Sequence, residues 1–262
     1  MIETIKLFYA DLKNLLRIKW LWFYLLSLVG GTFLFLYMSD DLAKVVLSLL
    51  NVTLLIVPLV TAFFAITYFY DSRNFMKFLL TQPVSRKSVF LGKFFSLSSF
   101  MSMLYLLGVT IPLLGRLLGS EDRGLLVTLI VAGALLSFLF SSLAFLVGVV
   151  FEDRAKGVSF LLGLWLYLAL LHDGLILTVI YVFREYPLER VVLALTLLNP
   201  VDLARLLVVL NLDIAALMGV SGAIFKEFFG SGIGMLVVAV SMLVWIAVPT
   251  ALSLFLFKKK DL

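Results

Sequence analysis

The 262-residue sequence contains no cysteine and a single histidine. Without cysteine there is no disulfide, no thiolate nucleophile and no Cys-ligated metal. With His172 as the sole imidazole, motifs that need two histidines, H-E-x-x-H among them, are excluded. Charge is also scarce. Only 14% of residues are Asp, Glu, Lys or Arg, against about 25% in soluble domains. Apolar side chains reach 63%, too many to bury in one core of this length, because a folded surface needs polar cover. A secreted domain, a cytosolic enzyme and a disordered chain are thereby excluded, and the apolar material must face lipid. A phosphate-binding loop is missing too. Gly119 and Gly124 have the spacing of G-x-x-x-x-G-K-[ST], but Leu125-Leu126 stand where Lys and Ser/Thr are required. No G-x-S-x-G elbow with a histidine partner exists either. Catalysis within this chain is not expected, and no cofactor or metal is assigned to it.

What the sequence does contain is six charge-poor stretches long enough to cross a bilayer, for which about 20 helical residues suffice. They cover 20–38, 45–70, 94–114, 125–151, 158–182 and 233–257. Lipid offers no hydrogen bonds to the backbone, so these spans are helices, and the alternating ten-residue segments of a β-barrel are absent. The connecting segments 1–19, 71–93, 152–157 and 258–262 carry 14 Lys/Arg against 6 acids, whereas 39–44, 115–124 and 183–232 carry 7 against 9. The positive-inside rule places the first set, and both termini, in the cytoplasm. The net charge of +5 is thus explained by topology, and no nucleic-acid partner is expected. The first span is 19 residues long and no small-residue cleavage site follows it, so it is read as retained.

Residues 1–19 have Ile5, Phe8, Leu12, Leu15 and Leu16 on one helical face, with Glu3, Lys6, Lys13 and Arg17 opposite. This pattern predicts an amphipathic helix lying in the membrane interface. After the second span, Asp71 or Ser72 can cap a helix that Pro83 stops about three turns later. Phe75, Phe78, Leu79 and Gln82 fall on one face of it. Such a face needs a cover, either lipid headgroups or a groove on a soluble protein. In 183–232, apolar runs flank Asn199-Pro200-Val201-Asp202, where Asn199 as N-cap and Pro200 at the first helical position give a strong helix start. Asp202 and Arg205 argue for two short helices dipping into the outer leaflet rather than a seventh span. Two further short helices are expected over 211–218 and 222–229.

His172 and Asp173 lie near the middle of the fifth span. A carboxylate there points by default to a cavity or a partner, so both residues are candidates for a substrate or proton path. The competing reading gives Asp173 a local hydrogen-bonding role. Adjacent residues diverge by about 100° on a helix, so the two need not act together. Pro58, Pro112 and Pro249 fall inside spans, where proline can kink a helix. Met101, Met103, Met218, Met235 and Met242 are scattered, and packing or lipid contact explains them better than copper ligation.

Six spans, an amphipathic start and a short helix after span 2 resemble the ABC-2 type permeases, the membrane subunits of ABC transporters. The stretch Asn74-Phe75-Met76-Lys77-Phe78-Leu79-Leu80-Thr81-Gln82-Pro83-Val84-Ser85-Arg86 resembles the family's T-L-E-x-L-L-x-x-P-[VI]-S-R coupling segment, with Phe75 and Lys77 departing from the usual Leu and Glu. The outer stretch around Leu198-Asn199-Pro200-Val201-Asp202, with Leu212-Asp213 and Phe228-Phe229-Gly230, resembles the NosY-type subfamily, which serves maturation of the copper-sulfide centre of nitrous oxide reductase. Trp165-Leu166-Tyr167 and Asp173-Gly174-Leu175 fit the same subfamily.

The resemblance implies an all-α integral membrane protein with six transmembrane helices of ABC-2, type V exporter-like, architecture, in a single permease domain over 1–262. It implies a cytoplasmic coupling helix over 71–83, with Arg73, Phe75, Met76, Phe78, Leu79, Gln82 and Pro83 docking a separate ATPase subunit of the NosF type, where ATP and Mg would be bound. It implies a second copy of the chain and a periplasmic β-helical partner of the NosD type, met by Asn199, Asp202, Arg205 and Asp213. The setting is the cytoplasmic membrane and the cargo a sulfur species. Two alternatives stay open: an exporter of another cargo (drug, lipid or ion), and a non-transporting scaffold for a maturation complex.

Overall fold

The computed structural model describes residues 2–119, 123–184, 189–210 and 232–259. Among these there are helices and no strands. The order is α1 (Ile2–Leu15), α2 (Lys19–Met38), α3 (Leu42–Asp71), α4 (Arg73–Leu80), α5 (Arg86–Gly119), α6 (Arg123–Val150), α7 (Arg154–Leu166), a π-helical turn (Tyr167–Leu171), α8 (His172–Val182), α9 (Glu189–Leu197), α10 (Pro200–Val209) and α11 (Gly232–Lys259). Six helical stretches are long and apolar enough to cross a membrane, with α7, the π turn and α8 counting as one.

Helices α3, α5 and α6 form the centre, with more than half of each apolar window buried, while α2, α7–α8 and α11 bury only about a fifth and lie outside them. α2 packs on α5, α7 on α3, and α11 on α6. Close approach in the centre depends on small residues. The space a Cβ on Gly133 of α6 would need is filled by the Tyr105 ring of α5, whose hydroxyl reaches the Leu129 carbonyl and Thr53, both at 3.2 Å. At one end, Phe145 of α6 takes edge-to-face contacts from Phe69 of α3 and from Phe90 and Phe94 of α5, with ring centroids 5.3–5.6 Å apart. Such pairs add about 0.5–1.5 kcal/mol each beyond area burial.

That aromatic end is also where the basic segments converge. Arg154 pairs with Asp71 at 2.7 Å, Arg73 donates to the Glu152 carbonyl at 2.9 Å, and Arg86 donates to the Lys258 carbonyl at 3.2 Å. The Tyr70 hydroxyl donates to the carbonyl of Phe151 at 3.0 Å, lying where a Cβ on residue 157 would sit, which explains Gly157. Segments 71–93, 152–157 and 258–259 are thus held together as one basic end.

Three details are added to these expectations. The helix that carries the third span starts at Arg86, ahead of the apolar stretch at 94–114. Its 34 residues rise about 51 Å, well beyond a hydrocarbon core of about 30 Å, so its first turns with Arg86, Lys87 and Lys93 extend past the apolar layer. α1 packs along the start of α5. Its buried line is Asp11 and Leu15, with Leu7 half-buried beside them, while Ile5 and Leu16 stay exposed. Nearly all of α10 is buried against α6, α11 and α3. The α9–α10 pair bends by 106° at its break, so the pair dips in and turns rather than running straight. The helices expected over 211–218 and 222–229 lie outside the described residues.

Candidate functional site

Two constellations stand out, one at each end. At the basic end, α4 continues almost directly from α3. Ser72 ends the one and begins the other in right-handed helical conformation, and its hydroxyl bonds backward to the Tyr68 carbonyl at 2.7 Å instead of capping α4. With eight residues and no side-chain cap, α4 depends on packing for its helicity. Met76 supplies the anchor, since it is fully buried, and Leu79 and Leu80 pack beside it against the core. Phe75 and Phe78 are 48% and 59% exposed, and Gln82 and Pro83 are exposed with them. The residues expected to form one docking set are therefore divided. Phe75, Phe78, Gln82 and Pro83 offer an outer surface, Met76 and Leu79 hold the helix in place, and Arg73 is engaged with Glu152.

Beneath α4 lies a feature that sequence reasoning missed. Lys93 of α5 and Asp11 of α1 form an ion pair at 2.8 Å, with both side chains 5% exposed. The Lys93 Nζ also sits 4.8 Å from the Phe75 ring centroid and 5.2 Å from that of Tyr68. The signal was present: Asp11 falls three residues after Phe8 and four before Leu15, a carboxylate inside an apolar stripe. Its partner, 82 positions away, carried no such mark.

The second constellation begins about 27 Å of helical rise from Arg154, at His172. In the π turn the His172 backbone N–H reaches back to the Tyr167 carbonyl, not to that of Leu168, which ordinary α-helical bonding would use. The Leu168 carbonyl accepts the Asn199 side-chain amide instead, at 2.8 Å. Asn199 also caps α10, accepting from the Val201 N–H at 3.0 Å, and donates to Asp202 Oδ2 at 2.9 Å. The same oxygen lies 2.9 Å from His172 Nδ1. Arg205 bridges onward, 3.2 Å from Asp202 and in a two-point contact with Asp173 at 3.0 and 3.1 Å. His172 and Asp173, which diverge on their helix, are thus joined through α10. Asp173 is 41% exposed at its side chain and engaged, not a lone buried carboxylate.

This arrangement corrects the expected docking role of Asn199 and Asp202. At 0% and 4% exposure they present no surface to a partner, and their bonds hold α10 against the π turn. Arg205 is partly exposed but doubly paired. Asp213 lies outside the described residues. Among the described residues no group of His, Asp and Glu is placed to hold a metal ion.

The sequence model of the family described as "ABC-2 family transporter protein" matches residues 6–262. The chain belongs to the ABC-2 transporter family. Its six candidate spans make this ABC-2 protein an integral membrane protein. A relative described as "Probable ABC transporter permease protein NosY", from Pseudomonas aeruginosa strain PAO1, is 27% identical in a match covering 54% of this chain and 54% of the relative. The chain matches about half the length of that relative.

Proposed function

We propose that this ABC-2 chain is the permease of an ATP-driven transporter, and that α4 with the following turn, residues 71–83, is its coupling helix. The reading rests on one observation: a short helix at the basic end exposes Phe75 and Phe78 side by side while Met76 fixes it to the bundle. Exposed aromatic pairs on a rigid mount are what a groove on a soluble partner captures. The partner is a separate ATPase subunit of the NosF type, which supplies ATP and Mg. The basic end is cytoplasmic by the positive-inside rule, with both termini there and the protein in the inner membrane.

The full assembly is a dimer of this chain with two ATPases and a periplasmic β-helical protein of the NosD type. The resemblance around 198–230 and the NosY relative support a role in assembling the copper-sulfide centre of nitrous oxide reductase, with a sulfur species exported. Without cysteine, this chain offers no covalent persulfide carrier. ATP-driven movement of the coupling helices would rock the spans between access states. The cluster of His172, Asp173, Asp202 and Arg205 is the candidate polar element on the cargo path.

The test is a pull-down of the tagged chain from native membranes, run beside a Phe78→Asp variant. The expected outcome is an ATPase and a periplasmic β-helical protein with the parent, and loss of the ATPase alone with the variant. An ATPase without the periplasmic protein indicates an exporter of another cargo. An ATPase retained by Phe78→Asp refutes the docking role of α4.

A further inference from the structure

The ion pair under α4 has a construction that packing alone does not require. Asp11 and Lys93 lie among Leu7, Leu15, Tyr68 and Phe75 at a place where four helices meet: α1, α3, α4 and α5. The approach of α1 is close. A Cβ on Gly92, the residue before Lys93, would come within 3.0 Å of the Leu7 Cβ and 3.4 Å of the Thr4 carbonyl. Charges taken out of water lose hydration that their attraction only partly restores, and apolar side chains of similar volume would fill such a place at least as stably. What the pair adds is direction. Apolar contacts resist compression but separate easily under tension, whereas a charge-assisted hydrogen bond at 2.8 Å resists both. The Tyr68 hydroxyl and Asp11 Oδ2 are close neighbours, both buried and without a well-formed hydrogen bond among the described residues. The Tyr68 hydroxyl, which faces both Asp11 and Ser96, gives the joint a polar neighbour with which bonds can be exchanged as it shifts.

We propose that Lys93 and Asp11 form a relay, in which Phe75 of the coupling helix bears on the Lys93 ammonium and the ion pair carries movement of α4 into both α1 and α5. This rests on the reading of α4 as the docking helix. α5 runs the full length of the bundle to Gly119, so a displacement at Lys93 reaches the far end through one continuous helix. Lys93 and Asp11 are positioning residues: they touch neither ATPase nor cargo and act through Phe75.

The experiment uses a double variant, Asp11→Leu with Lys93→Met, which removes both charges while keeping volume. The absence of native cysteine allows spin labels at Tyr9→Cys on α1 and Lys77→Cys on α4, both exposed. In the intact permease the label-to-label distance should be narrow, and in the double variant it should broaden or split although the protein still folds and inserts. In the assembled complex the double variant should keep its ATPase, while the response of ATP turnover to the permease falls by about tenfold, within the usual range of coupling between sites. A distance distribution as narrow as the parent's, or an undiminished turnover response, overturns the relay. The label experiment needs no ATPase, so a parent that recovers none defeats the docking reading alone, and the labels then decide the relay.

Discussion

At the basic end, one ion pair joins α1 to α5, with two aromatic rings over its cation. At the far end, His172, Asp173, Asn199, Asp202 and Arg205 share hydrogen bonds among a π turn, α8 and α10. The first can be removed nearly as a unit, because its two charges satisfy each other and the Tyr68 hydroxyl is the one polar side chain described beside Asp11. The second cannot, because His172, Asn199 and Asp202 are buried and each satisfies another. A separable pair suits a joint between helices that move. A closed network suits a fastening, here of a broken helical pair to the span it touches.

The largest expected effect tests the separability of the pair. Asp11→Leu alone leaves Lys93 charged and buried, at a cost of about 3–5 kcal/mol. The double variant with Lys93→Met should recover most of that loss in thermal unfolding in detergent. Equal losses for single and double variants would show that the pair belongs to a wider network and would dissolve the contrast.

A smaller effect is expected at the far end. Asn199→Ala removes the cap of α10 and the partner of the Leu168 carbonyl, at about 1–3 kcal/mol. Adding Met or Leu at neighbouring members should not compensate. The readout is a thiol at Val208→Cys, fully buried in the parent. It should react with maleimide faster once α10 is loosened. Unchanged reactivity would mean that apolar packing against α6 and α11 holds α10 by itself.

The smallest effect lies within the basic end, at Asp153, which caps α7. The Lys156 N–H foremost holds its carboxyl below the ordinary value of 3.8. A lowered carboxylate pKa means that the cap is present above that value and is lost as the pH falls through the lowered one. Acidification should therefore loosen the start of α7. Asp153→Ala should remove that part of the pH dependence in hydrogen exchange at Ala155 and Lys156.

Periodicity and composition made the spans legible, and Asn199-Pro200 marked the start of α10 correctly, because capping chemistry is local. Of the apolar face expected on α1, Leu15 is buried and Phe8 and Leu12 are half-buried, while Ile5 and Leu16 are exposed and Asp11 joins the inner side through its ion pair. α4 was recognised as a helix with an apolar face, but that face belongs partly to Met76 and the core, and only Phe75 and Phe78 with the turn after them remain outside. The π turn was invisible, since one extra residue in a helix leaves no compositional trace.

The sequence by itself determined that this chain lives in a membrane, which segments cross it and which end is basic, because hydrocarbon admits only long apolar helices whose backbone bonds to itself. Only the tertiary structure decided which charges meet: Asp11 with Lys93, His172 with Asp202, Asp173 with Arg205. Those partners are separated in the chain by whole helices. A charge in a low-dielectric interior must find its counter-charge in space, and nothing along the sequence specifies where that will be.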